Sequence, residues 1–295
     1  MQGIRQRIVG IRQLENRLEE LSRNLESLRV AIGRIEARQS GIAELGKKSE
    51  FQVFSQWGED GIIHKLTRDL NIPAKIFIEF GVESYREANT RFLLMQENWS
   101  GLVIDGDAEN ILSIRRSPLY WRHNLKAVHA FVTRENINCL IEENGISGEI
   151  GLLSIDIDGV DYWVWQALDC VTPAIVVVEY NSLFGAERSV TVPYESGFIR
   201  SKSHPSNLYY GASLGALAKL GVRKGYALVC CNQAGNNAFF VRKDLLPDGS
   251  WEKSVQEAFV ARQFREGRDA NGKLIFGSPE EESLVACALP LEEVV

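Results

Sequence analysis

Short apolar runs recur along this chain at nearly even intervals, and each finishes in a polar or ionisable residue: Ile76 to Glu79, Leu102 to Asp105, Ala127 to His129, Leu152 to Asp156 and Ile175 to Glu179. A short continuous apolar run suits a strand buried on both faces, and each gap leaves room for one crossover helix, so the pattern predicts repeated βα units on a parallel sheet. Two later runs, Tyr226 to Cys231 and Ala238 to Arg242, are joined by the turn-rich stretch Asn232-Gln233-Ala234-Gly235-Asn236-Asn237, which predicts an antiparallel hairpin closing the sheet. The expected fold is α/β, a doubly wound, mostly parallel sheet. In such a sheet ligands sit beyond the strand carboxyl ends, so Glu79, Asp105, Asp156, Asp158 and Glu179 are the first candidates for function.

Residues 1–40 follow another period. Ile4, Ile11, Leu18, Leu25 and Ile32 occupy one heptad position and Leu14, Leu21, Leu28 and Ile35 the other, with only Arg7 breaking the seam. So narrow a stripe gains stability by burial against another such stripe, so the segment reads as a coiled coil that joins copies of this chain. The alternative is that the helix packs on its own domain. Its eight arginines against five glutamates also leave open docking on an anionic membrane or a larger assembly. Residues 41–50 read as a linker, 51–245 as the main domain, and 246–295 as a helical extension, opening with an amphipathic helix after Pro247 in which no chemistry is evident.

The formal net charge of −6 argues against nucleic acid as a partner, because non-specific grip on a phosphate backbone needs a basic field. Five cysteines without CxxC spacing read as reduced, packed thiols. No apolar run reaches the roughly 18 residues of a membrane span, and the start MQGIRQRIVG lacks a signal-peptide core. The expected compartment is the cytoplasm.

Gly81 follows the first strand and allows close approach of backbone to a ligand. Asp105 falls 26 residues after Glu79, an offset at which nucleotide-binding sheets place an acid against ribose hydroxyls. A nicotinamide enzyme wants GxGxxG to cradle a pyrophosphate, whereas the turn here is Gly81-Val82-Glu83-Ser84-Tyr85, with an acid where phosphate would approach. An acidic cleft suits S-adenosylmethionine, whose sulfonium is cationic and whose nucleoside carries no phosphate.

With these residues the chain resembles the class I SAM-dependent methyltransferases, of Rossmann-like fold, and within them the FkbM-like branch associated with O-methylation of sugars and other natural products. The resemblance spans residues 51–245 through the blocks Phe54-Ser55-Gln56-Trp57-Gly58-Glu59-Asp60-Gly61, Phe77-Ile78-Glu79-Phe80-Gly81, Gly101-Leu102-Val103-Ile104-Asp105-Gly106, Asp156-Ile157-Asp158-Gly159-Val160-Asp161-Tyr162, Glu179-Tyr180-Asn181 and Asn237-Ala238-Phe239-Phe240-Val241-Arg242. It implies that Gly81 and its neighbours Glu79 and Glu83 hold the methionine end of the cofactor, that Asp105 with Gly106 holds the ribose, and that His129, Ala130 and Phe131 line the adenine, with Asp156 at the reacting side. The departure is Glu83, where many members carry a second glycine.

At the reacting end, Asp156, Asp158, Glu179 and Asn181 lie beyond two strands that the repeat makes neighbours. Hard cations such as Mg²⁺ or Mn²⁺ choose such oxygen donors. Metal-assisted members of the fold place an acid after the fourth strand and an acid or amide after the fifth, so the resemblance implies a metal held by Asp156, Glu179 and Asn181. The alternative is that these groups orient loop and substrate by hydrogen bonds with no ion. Asp156 or Asp158 is the expected base, and His204, in a loop after the fifth strand, is a further candidate; a lone loop histidine is otherwise a solvated one. His64 reads as structural. Phe184, Tyr194, Phe198 and Tyr209 mark a sugar-type pocket or equally a packed lid, and Trp163 and Trp165 a sugar platform or helix core. The expected activity is methyl transfer from S-adenosylmethionine to a hydroxyl of a saccharide or saccharide-linked metabolite. The alternatives are an NAD(P)-dependent oxidoreductase and a non-catalytic coiled-coil scaffold.

Overall fold

The computed structural model describes residues 2–40, 44–247 and 251–295; within the first stretch the side chains of 2–10, 15 and 19, and with them the predicted seam positions Ile4 and Arg7, lie outside the described set, as do 41–43 of the linker and 248–250 of the extension. The main sheet contains β1 (Ile76–Phe80), β2 (Ser100–Asp105), β3 (Leu125–His129), β4 (Gly148–Ile155) and β5 (Val171–Glu179). A short strand β6 (Val190–Thr191) leaves it to pair with β9 (Glu292–Glu293), and the hairpin β7 (Tyr226–Cys231) and β8 (Asn237–Arg242) closes it. The order across the sheet is β3-β2-β1-β4-β5-β8-β7, with β8 antiparallel to both of its neighbours. This is the mostly parallel sheet closed by an antiparallel hairpin that the sequence predicts, and all five apolar runs read from the sequence are its parallel strands. Val176 and Val178 of β5 pack into one apolar layer with Ile78 and Phe240, while Val177 packs on the other face with Phe77 and Phe239, which is why β5 is apolar along its length.

Register decides where the chemistry falls. Asp105 pairs with His129, Phe80 with both Ile104 and Ile155, Ile155 with Val178, and Glu179 with Asn237. One step on from these pairs, His129, Asp105, Gly81, Asp156, Glu179 and Asn237 form a single row across six strands at the same edge. The chain runs outward from β1 to β3 and then returns to β4, so the topological switch lies between β1 and β4, under Gly81 and Asp156.

The N-terminal helix, Gln2–Gln39, settles on the domain with one face and leaves the heptad stripe free. Val30 and Ala37 are buried with Val53 and Phe92, and Glu26 pairs with Arg91. The seam residues Ile11, Leu14, Leu18, Leu21, Leu25, Leu28, Ile32 and Ile35 remain 55% to 65% exposed. The two readings of this helix are therefore not exclusive: it packs on its own domain through a second, smaller-residue stripe.

Two other segments differ from their sequence reading. The stretch after residue 43 is a packed turn, in which Glu50 accepts hydrogen bonds from the backbone N–H and side-chain amide of Gln233. The amphipathic helix expected after Pro247 amounts to one turn, Val255–Ala258, opened by a capping box between Ser254 and Glu257. Beyond it the chain is pulled straight by tertiary bonds: Tyr180 Oη donates to the Val260 carbonyl, Gln263 N–H to the Ala234 carbonyl, and Arg262 N–H to Ser182 Oγ. The extension's longer helix is Pro279–Cys287. Of the five free cysteines, only Cys230 and Cys231 are buried and Cys139 is exposed, so packed thiols are the minority. Among the described residues no helix is long and apolar enough to cross a membrane.

Candidate functional site

A cleft of roughly 620 Å³ opens over the carboxyl edge of the sheet, within the usual size of a ligand site. Its two halves differ in origin. The β1–β3 half is lined by Gly81, Glu83, Asp105, Gly106, Ala130 and Phe131, and the β4–β8 half by Asp156, Asp158, Glu179, Arg200, Asn237 and Phe264.

On the first side, Asp105 closes its strand and organises two loops. Its Oδ2 accepts the Glu83 N–H at 2.7 Å, and its Oδ1 accepts the Asp107 N–H at 2.8 Å and Asn110 Nδ2 at 3.1 Å. A carboxylate offers about four acceptor positions, so one remains on Oδ2 for a ligand hydroxyl. Glu83 takes a left-handed φ of 47°, which holds its N–H toward Asp105. Glu79 spends both oxygens on the same loop, accepting from the N–H groups of Asn89 and Thr90 and from the Thr90 hydroxyl; burial pushes its carboxyl up to about 7. It therefore acts by holding the loop that walls the cleft. Gly81 is required by backbone as much as by ligand: a Cβ there would lie 1.6 Å from the Asp156 carbonyl oxygen, at a φ of 72°. His129 is drawn aside, its Nε2 3.2 Å from the Gly106 carbonyl, so that Ala130 and Phe131 line the cleft and the imidazole does not.

On the second side, one carboxylate oxygen each from Asp156, Asp158 and Glu179 lie within 4.8 Å of one another. Burial and the neighbouring Asp158 charge push Asp156 well above the ordinary carboxylate range; burial and then Asp156 do the same for Glu179. Arg200 tempers the cluster: it bonds Asp158 at 2.7 Å, pairs with Glu266 and lies 3.5 Å from the Tyr210 ring centre. Asp158 Oδ1 is thus committed to Arg200, whereas Glu179 Oε2 is buried with no partner.

Several sequence candidates fall elsewhere. The Asn181 amide is fully used within the fold, donating to the carbonyls of Leu208 and Tyr210 and accepting from the Leu183 N–H, so it anchors the loop after β5 and turns no atom to the acids. His204 faces Ser206 Oγ at 2.7 Å, outside the cleft lining. Trp163 and Trp165 are both core, Trp163 donating to the Val192 carbonyl. Of Phe184, Tyr194, Phe198 and Tyr209, only Phe198 lines the cleft. The sequence reading missed Arg200, Phe264 and Glu266. Phe264 stacks on Trp57, with ring centres 5.4 Å apart and planes 13° from parallel, and so the C-terminal strap and the loop before Glu59 meet across the cleft mouth. Trp57 and Asn237 belong to motif blocks of the resemblance, whereas Arg200, Phe264 and Glu266 belong to none.

No protein-family model matches the chain, and no curated protein is detectably similar to it in sequence. Solved structures are similar in backbone course. The N-terminal domain of EvdMO1 with SAH bound is 12% identical, over 72% of this chain and 94% of that one, with a TM-score of 0.40. A putative caffeoyl-CoA O-methyltransferase from Staphylococcus aureus is 11% identical, over 72% and 91%, with a TM-score of 0.42. A S-adenosylmethionine-dependent methyltransferase from Clostridium acetobutylicum ATCC 824 is 10% identical, over 62% and 89%, with a TM-score of 0.40.

Proposed function

We propose that the cleft is the active site of an O-methyltransferase that takes S-adenosylmethionine in its β1–β3 half and a saccharide-type hydroxyl in its β4–β8 half. The observation that carries this reading is the row Asp105, Gly81, Asp156, Glu179: a hydroxyl-binding carboxylate and an acid cluster at one edge of one sheet, two to three strand spacings or about 10 to 14 Å apart. The acids suit a cationic sulfonium and disfavour the pyrophosphate of a nicotinamide cofactor.

In the reaction the acceptor oxygen bonds to the methyl carbon as the carbon–sulfur bond breaks and its electron pair stays on sulfur; the hydroxyl proton passes to a carboxylate. Asp156 serves best, because Asp158 is held by Arg200 and His204 lies outside the cleft. Polar groups among aromatic ones on the acceptor side, Gln56, Asn207 and Asn237 beside Trp57, Phe198 and Phe264, support a polyhydroxylated acceptor. The donor set also fits a divalent cation: Asp156, Asp158 and Glu179 would hold it, and the buried, unpartnered Glu179 Oε2 is the atom that asks for one. Bound there, a hard cation lowers the pKa of a hydroxyl it ligates.

Asp105→Ala is expected to weaken S-adenosylmethionine binding by roughly 10- to 100-fold, the worth of charge-assisted hydrogen bonds. Calorimetry on the folded variant measures it; undiminished affinity, or competition by NADH in the wild type, sinks the assignment.

The bare heptad stripe supports self-association. Since the helix docks on its own domain by the opposite face, Leu18→Glu with Leu25→Glu is expected to reduce the mass in solution to that of one chain without unfolding the domain. Light scattering reads the outcome, and an unaltered mass removes the coiled coil.

A further inference from the structure

Beside Glu179 in the register of β5 and β8 stands Asn237, 4% exposed and lining the cleft. Its Nδ2 donates to Glu59 Oε1 at 2.9 Å. Glu59 is fully buried and also accepts Asn232 Nδ2 at 2.7 Å and the Trp57 N–H at 2.8 Å. Because a carboxylate only accepts, the Asn237 amide must turn its NH₂ to Glu59 and its oxygen away. That oxygen has no partner, and neither has Oε2 of Glu179, the residue paired with it in the sheet. A buried acceptor left unpaired costs about 1–3 kcal/mol, and native folds keep few of them. Two on paired residues, at the margin of three converging carboxylates, point to a ligand that supplies positive charge.

We infer that Asn237 is an oxygen ligand of a divalent cation held with Asp156, Asp158 and Glu179, in the place that the family resemblance gives to Asn181. The inference rests on the metal part of the proposed function. Amide and carboxylate oxygens together are the donor set of hard cations. Adjacent residues in an antiparallel pair bring their side chains to one face, with Cβ atoms about 5 Å apart. A neutral donor also adds no charge to a cluster that already holds three acids against one arginine. Glu59 is then a positioning residue: it fixes which end of the amide faces the cation.

The test uses Mn²⁺ alone, without S-adenosylmethionine, titrated by calorimetry and electron paramagnetic resonance into the full chain. The wild type is expected to bind one ion and Glu179→Gln to lose it. Asn237→Leu is expected to bind at least roughly 10- to 100-fold more weakly, since even an outer partner of a metal ligand is worth that much. Near-UV circular dichroism checks that the variant is folded. Asn237→Ala, which leaves space where leucine adds apolar bulk, is a second variant expected to lose affinity to a similar degree. Unchanged binding by folded Asn237→Leu, with Glu179→Gln defective, overturns the role of Asn237 and leaves the cation standing. Unchanged binding by folded Asn237→Ala overturns the role of Asn237 too. A wild type that takes up no Mn²⁺ overturns both.

Discussion

Gly81→Ala is expected to destabilise the domain by roughly 3 kcal/mol or more and to abolish cofactor binding in whatever fraction still folds. The added Cβ would sit 1.6 Å from the Asp156 carbonyl oxygen, and the partner atom is backbone, so no rotamer change relieves the contact. The left-handed φ of 72° adds strain of its own for any residue with a Cβ. Both halves of the cleft meet at this point. Gly81 N–H donates to the Ile104 carbonyl, one residue before Asp105, so displacing β1 from β4 also disturbs Asp105. Such a loss is a large part of the usual 5–15 kcal/mol of a domain. Urea unfolding followed by S-adenosylmethionine titration measures both effects, and a variant with wild-type stability would mean that β1 and β4 do not approach as described.

The glycine illustrates what a sequence can and cannot convey. That a glycine follows β1 is legible, but the reason the sequence offers is a ligand, whereas the nearer cause is β4, three strands later in the chain. Strand ends were legible because a run buried on both faces must stop where polarity begins, and Asp105, Asp156 and Glu179 mark those stops. Their alignment in one row follows from register, which a parallel sheet fixes through tertiary packing. Asn181 has the right residue type at the right spacing, yet its amide is consumed by the carbonyls of Leu208 and Tyr210 in a loop that no period describes. Phe264 and Glu266 were hidden for a related reason. Their segment carries helical periodicity, and bonds from Tyr180, Ala234 and Ser182 override it and draw the chain across the cleft. In the front helix the heptad stripe obscured the smaller one, Val30, Gly33 and Ala37, although a Cβ on Gly33 would meet Val53 at 2.4 Å.

Asp156→Asn is expected to lower kcat by roughly 10²- to 10⁴-fold, the span that a positioned proton acceptor contributes, with much less effect on S-adenosylmethionine affinity. Asparagine keeps the shape of the side chain and removes its charge, so the loss reports on chemistry rather than packing. The pH profile adds a reading that a structural role would not give. In the wild type burial and then the Asp158 charge hold Asp156 above its ordinary range, and burial and then the Asp156 charge do so for Glu179, so protonation begins at higher pH than for a free acid, and the acid limb of kcat is expected above the usual carboxylate range. Removing the Asp156 charge lifts that repulsion from Glu179, whose pKa must then fall. The residual activity of the variant is therefore expected to persist to lower pH than that of the wild type. A limb that stays in place would mean that the two acids do not sense each other, and a kcat within threefold of wild type, about 0.7 kcal/mol of barrier, would take Asp156 out of the proton transfer altogether.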